Sequence, residues 1–181
     1  MNMAVVPAKN EQGRIGRVLS LLKQTPVDRI VVVVNGSSDD TMKEVKGLRL
    51  ENLEILYFTP ELGIDIPRAI GAYYAYREGA GCVVFVDGDL IGNIRTLVDE
   101  LVHSVTCQGA DLAMTDCYPS LEYKSELTEQ ILLFRSLLNL KLDLYDEIGV
   151  ATPSHGPHAV SRKLMEGIDF RYFAVPPMVL A

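Results

Sequence analysis

The sequence predicts an α/β domain, a mostly parallel sheet with helices on both faces. Three observations carry that prediction. Short apolar runs alternate with amphipathic stretches through the first two-thirds of the chain. Ile30 to Val34 is an unbroken β-branched run, as in a strand buried on both sides. The 181 residues, 48% of them hydrophobic, hold enough apolar material for one core, so a single domain over 1–181 is expected.

Met3 to Val6 reads as the first strand, stopped by Pro7, and Ile15, Val18, Leu19 and Leu22 recur at helical spacing behind it. The Ile30–Val34 strand ends in the loop Asn35-Gly36-Ser37-Ser38, and Ser38, Asp39 and Asp40 are placed to cap a short helix over Thr41 to Lys46. Leu53 to Phe58 is the next strand. Pro67 suits a first helical turn, and Ile66, Ala69, Ile70, Tyr73 and Tyr74 form an apolar stripe that runs to about Glu78, closed by Gly79 and Gly81. Cys82 to Val86 is a fourth strand, Arg95 to Cys107 a helix and Asp111 to Thr115 a fifth strand. After Tyr118-Pro119 the texture changes. A leucine-rich helix is expected from Leu127 to Tyr145, then a Gly-, Pro- and His-rich loop from Gly149 to His158, together an excursion from the sheet. The leucine spacing fits an ordinary packed helix, or a contact in a homo-oligomer.

Composition removes several function classes. The net charge of −7 repels polyanions, so no nucleic-acid partner is expected. No apolar run approaches the ~18 residues of a transmembrane segment, and Met-Asn-Met-Ala-Val-Val-Pro does not read as a secretion signal. Cys82, Cys107 and Cys117 are unclustered and fit buried thiols in a reducing compartment, so a cytoplasmic location is expected.

In an open parallel sheet ligands bind beyond the carboxyl ends of the strands, which selects the loops Pro7–Gly13, Asn35–Asp40, Thr59–Arg68 and Asp87–Gly92. Val83-Val84-Phe85-Val86 delivers Asp87-Gly88-Asp89 to a strand end, where side chains at i and i+2 point the same way. Two carboxylates there suit Mg2+ or Mn2+, which takes one or two carboxylates plus substrate phosphate oxygens and water. Asp-x-Asp alone also fits a solvated turn or a cap, and the buried strand in front of it favours the metal. The Pro7–Glu11 segment offers backbone amides and the Glu11 carboxylate to a base or ribose, or is simply a helix entry. Asn35-Gly36-Ser37 fits a close approach to a base edge and a plain turn equally well. Arg68, near a helix start, is placed to meet an anion.

In order, VVPAKNE, VVVNGSSDDT, LGIDIPRAIGAYYA and VVFVDGDL resemble the nucleotide-binding half of family 2 glycosyltransferases with the GT-A fold, a Rossmann-like sheet, over about residues 3 to 118. The resemblance implies a nucleoside diphosphate sugar as donor, with Pro7, Ala8 and Glu11 lining the nucleoside pocket, Asn35 near the base, and Asp87 and Asp89 holding ribose, metal and diphosphate. The candidate nucleotide-binding residues are thus Pro7, Ala8, Glu11, Asn35, Gly36, Ser37, Gly63, Arg68, Asp87 and Gly88. The candidate metal ligands are Asp87, Asp89, His155 and His158. A weaker match, SHGPHAVSRKLMEGIDF, resembles the segment before the acceptor region in synthases that act on a phosphorylated glycerate, and implies a phosphorylated small molecule as acceptor. Two departures from the pattern stand out. Val34-Asn35 replaces the paired acids usual after the second strand, and Val175-Pro176-Pro177 stands where a late catalytic acid is usual, so the acceptor half, 119–181, reads as shortened or divergent.

The reaction implied is transfer of a sugar to an acceptor hydroxyl, with the metal stabilising the departing diphosphate. Candidates for the base are Asp116, His155, His158 and Asp169, Asp116 first because it closes a strand near the site. Arg162 and Lys163 are candidates for attracting an acceptor phosphate. Two other readings compete. One is a noncatalytic nucleotide-sugar-binding protein; the other is a sugar nucleotidyltransferase, which the absence of a glycine-rich basic loop after the first strand disfavours.

Overall fold

The computed structural model describes residues 1–63, 65–115, 126–151 and 156–174. Its centre is a six-stranded sheet in the order β3-β2-β1-β4-β6-β5. The strands are β1 (Asn2–Ala8), β2 (Arg29–Asn35), β3 (Leu53–Phe58), β4 (Cys82–Phe85), β5 (Leu112–Met114) and β6 (His158–Ser161). The helices are α1 (Ile15–Leu22), α2 (Thr41–Gly47), α3 (Asp65–Arg77), α4 (Ile94–Thr106), α5 (Glu126–Lys141), α6 (Tyr145–Ile148) and α7 (Arg162–Gly167), followed by a 3-10 turn over Phe170–Ala174.

Strand periodicity divides the core in two. Ala4, Val6, Val32, Val34 and Val84 meet α1, α2 and α4 on one face. Met3, Val5, Val31, Val33, Val83 and Phe85 meet α3, α7 and the 3-10 turn on the other. Ile30 to Val34 is fully buried, as an uninterrupted β-branched run requires when helices cover both faces.

The first strand does not stop at Pro7. The Val5 carbonyl accepts from the Val86 amide at 3.0 Å, so Val5 and, two residues on, Pro7 turn their backbone groups toward β4. The β1–β4 ladder ends at the pair Val5 and Phe85, so Pro7 lacks an N–H only where no strand remains to receive it.

The second half also returns to the sheet earlier than its Gly, Pro and His content predicts. His158 opens β6, which runs antiparallel between β4 and β5 and pairs with both. The leucine-rich stretch is two helices, interrupted where Asp143 takes a φ of 61°. Cys82 is buried and its thiol is pushed up to about 11 by desolvation, but Cys107 is exposed, against expectation; Cys117 lies outside the described residues. Among the described residues no helix is long and apolar enough to cross a membrane.

Helix α3 approaches β1 through Gly71, where an added Cβ would stand 2.2 Å from Val5 Cγ1. Gly71→Ala is therefore expected to lose about 1–3 kcal/mol in urea unfolding, although alanine is the better helix former by ~1 kcal/mol. Adding Val5→Ala should recover part of the loss; an unchanged or raised midpoint for the single variant would show that α3 is not held this closely.

Candidate functional site

The chain steps from β1 outward through β2 to β3, then crosses by α3 to β4 on the other side of β1. The strand order reverses there, and the loops after β1 and β4 diverge to leave a crevice. A cleft of about 470 Å3 opens at this point. Pro7, Ala8, Glu11, Asn35, Gly63, Arg68, Asp87, Gly88 and Asp89 line it, together with Lys9 and Glu61.

Arg68 organises the β4 end. Its guanidinium, 14% exposed, donates to Asp65 Oδ1 at 3.0 Å and to Asp87 Oδ1 at 2.6 Å, so a residue expected to meet a ligand anion is a tether for one of the paired acids. Gly88 sits in a tight place: an added Cβ would lie 3.2 Å from Glu11 Cγ, Ile15 Cδ1 and the Pro7 carbonyl oxygen. Asp89 is exposed. Glu11 is held above the usual carboxylate range, first by burial and then by the Asp89 carboxylate, with Arg14 opposing and Asp39 and Asp87 adding to the rise. Its Oε2 lies 2.8 Å from Arg14 Nη2 but makes no hydrogen bond.

The rim after β1 is laced to the rim after β2. The amides of Asn10, Glu11, Gln12 and Gly13 donate in turn to Ser37 Oγ (3.1 Å), Thr41 Oγ1 (2.7 Å), Asp39 Oδ2 (3.1 Å) and Glu44 Oε2 (2.6 Å). In return, Ser38 and Asp40 amides donate to Asn10 Oδ1 at 2.9 Å and Gln12 Oε1 at 3.1 Å. Glu44 Oε1 also accepts from the Gly16 amide at 3.0 Å, so α1 is capped by a side chain of α2 rather than by its own first residues. Of the three residues expected to cap α2, only Asp39 has a carboxylate on a first-turn amide, that of Thr41 at 3.0 Å.

These bonds reassign part of VVVNGSSDDT. Ser37 belongs to the lacing and not to the cleft lining. Gly36, at φ 56°, is needed because an added Cβ would sit 2.7 Å from Glu61 Cα, so its close approach to protein is reason enough for the glycine. Asn35 does line the cleft, but its amide is engaged: Oδ1 accepts from the Leu62 amide at 3.0 Å and Nδ2 donates to the Ala8 carbonyl at 3.4 Å.

The later candidates fare differently. His158 is 4% exposed, sits on a strand instead of a loop, stacks on Phe85 with ring centroids 4.7 Å apart, and does not line the cleft. Desolvation, reinforced by the Arg68 charge, lowers its pKa to about 4, so it is neutral at pH 7. Asp116 and His155 lie outside the described residues, as does Val175-Pro176-Pro177. Asp169 is exposed and bonded to the Arg171 side chain and amide, which hold it down at about 2, a poor base. Arg162 and Lys163 follow Ser161, which pairs with Cys82 at the start of β4, so they lie at the opposite end of the sheet from Asp87. There Arg162 bonds Glu166 and caps the Tyr76 ring, while Lys163 pairs with Asp111.

Lys9 and Glu61 had no signal beyond lying in two of the selected loops, where single charged residues are usually solvated. They form an ion pair across the cleft mouth.

The sequence matches the profile described as glycosyl transferase family 2 over residues 3–168. The chain belongs to this family. No curated relative matches it. Among solved structures, this family member superposes on glucosyl-3-phosphoglycerate synthase from Mycobacterium tuberculosis, in complex with uridine diphosphate, with a TM-score of 0.62 at 23% identity, covering 91% of this chain and 57% of that one. A mycobacterial protein gives 0.64 at 26% identity, covering 91% and 54%. S. aureus TarS 1-349 gives 0.60 at 20%, covering 92% and 48%. The chain thus spans about half the length of these neighbours, and the GT-A architecture expected from its motifs is the one they share.

Asp87 and Asp89 are hard oxygen donors at the rim, a set that fits Mg2+ or Mn2+ sharing its coordination with phosphate oxygens. Among the described residues no three acidic, His or Cys groups converge to hold an ion on protein ligands alone. Because the folded state holds the Glu11 proton more tightly than the unfolded chain does, ionised Glu11 is unfavourable at pH 7, and this penalty disappears as pH falls below the ordinary value of 4.5. Glu11→Gln should therefore raise the urea midpoint at pH 7 and leave it nearly unchanged at pH 4. A lower midpoint at pH 7 would mean that Arg14 more than compensates the charge.

Proposed function

We propose that this chain binds a nucleoside diphosphate sugar in the cleft and transfers the sugar to an acceptor hydroxyl, using a divalent cation held by Asp87 and Asp89. The observation that supports this most directly is the gathering of Glu11, Asp87 and Asp89 around one cleft at the switch point of the sheet, with Arg68 fixing Asp87. Four carboxylates against two bases, Lys9 and Arg68, give the cleft an excess of negative charge, which would repel a diphosphate unless a cation came with it. The cation would neutralise the charge that grows on the leaving diphosphate. The chain's own residues set the geometry: Arg68 orients Asp87, Gly88 lets the rim close on Pro7 and Ile15, and the laced loops hold Glu11 beside the donor.

Structures of the M. tuberculosis synthase contain Mn2+, uridine diphosphate and phosphoglyceric acid. By that similarity the acceptor here is a phosphorylated small molecule, and the residues contacting it belong to the second half. Asp116 keeps its place as the candidate base on sequence position alone.

Thermal shift with nucleoside diphosphates, with and without Mn2+, tests the binding step. Stabilisation should require both nucleotide and Mn2+ and should vanish in Asp89→Ala, while the unliganded melting temperature of the variant stays within a degree or two of the parent because Asp89 is exposed. Equal stabilisation of both proteins would remove the metal role from Asp89.

A further inference from the structure

The cleft has two ends, fixed by the order of the strands. Asp87 and Asp89 follow β4, Pro7 and Ala8 end β1 with Lys9 next, Asn35 ends β2, and Glu61 follows β3. Since the sheet runs β3-β2-β1-β4, a ligand whose diphosphate lies at the β4 end reaches the β2–β3 end with its base.

That far end is rigidly built. The Leu62 amide can only donate, so the side-chain atom of Asn35 that meets it at 3.0 Å is the oxygen, and the amide nitrogen faces the Ala8 carbonyl. One N–H of Asn35 is thereby used, and the second has no partner among the described residues. Gly36 packs against the Glu61 backbone so closely that no Cβ fits between them, which fixes Glu61 next to Asn35. Lys9 pairs with Glu61 Oε1, and both residues line the cleft. The wall therefore brings together, at the cleft, a buried amide with one N–H unused and a carboxylate.

We infer that this end selects guanine, so that the donor is a guanosine diphosphate sugar, with Glu61 accepting from guanine N1–H and N2–H and Asn35 Nδ2 donating to O6. The inference rests on the proposed function and names its donor. Guanine alone among the common bases offers two adjacent donors to a carboxylate with a carbonyl acceptor alongside. Uracil offers one N–H between two carbonyl oxygens, so a carboxylate that takes the N–H meets an oxygen with its second atom. Adenine and cytosine present an unprotonated ring nitrogen there, which repels a carboxylate. Glu61 lies in a loop outside the quoted motifs, so its role comes from geometry.

Isothermal titration of the whole chain in Mn2+ with GDP, UDP, ADP and CDP tests this. GDP should bind about 10-fold more tightly than UDP or the others, in line with one bidentate base contact. Glu61→Gln, at an exposed site where folding is not at risk, should weaken GDP by about 10-fold and leave UDP no weaker, because the change also removes one negative charge from the cleft. Asn35→Asp, which removes the free N–H, should narrow the gap between GDP and UDP. UDP binding as tightly as GDP, or Glu61→Gln weakening both alike, would overturn the guanine assignment while leaving the proposed function standing. Failure of every nucleotide to bind would overturn both.

Discussion

The amides of residues 10 to 13, between β1 and α1, are the donors around which the rim is arranged. Residues 10 to 13 leave a buried parallel strand and enter a helix with no side chain of their own able to satisfy the first turn. Backbone donors there take protein partners in place of water. They find them on the neighbouring connection, in Ser37, Asp39, Thr41 and Glu44, and two side chains of the first loop answer in kind. Two loops that could each move independently become one ledge, and Glu11 sits on it. The segment Ser37 to Glu44 thus serves the cleft by bracing it.

Charge is the second organising term. Glu11, Asp87 and Asp89 share one opening, and burial together with mutual repulsion lifts Glu11. Such a cluster is unfavourable when empty and favourable around a dication, the sense in which a binding site carries stored cost. Arg68 limits that cost at one point only, by bonding Asp87 while Asp65 steadies the guanidinium from behind. Asp89 keeps its freedom at the surface.

Much of the first half was legible because each signal had a single physical cause. A β-branched run with no polar break has to be buried on both faces, and it is. Asp-Gly-Asp after such a strand has to emerge at a rim, and it does. Other features lacked a local cause. Pro7 reads as a stop until the shorter reach of β4 is known. Gly36 reads equally as a ligand contact or a plain turn, because only coordinates reveal the Glu61 backbone against it. His158 reads as a loop residue, since four residues flanked by Gly and Pro give no periodicity, and its burial comes from two partner strands far away in sequence. Lys9 and Glu61 are invisible as a pair because nothing in either segment announces the other.

The antiparallel entry of β6 has a further meaning. A parallel neighbour would need a covering helix and would begin at the far end of the sheet. Running backwards, β6 starts with His158 alongside Phe85, two positions short of Asp87, so the chain enters this strand at the end of the sheet where the cleft opens. Changes before β6 can therefore leave the parallel strands β1 to β4 intact. A lineage built this way can vary what arrives at that rim without rebuilding the sheet.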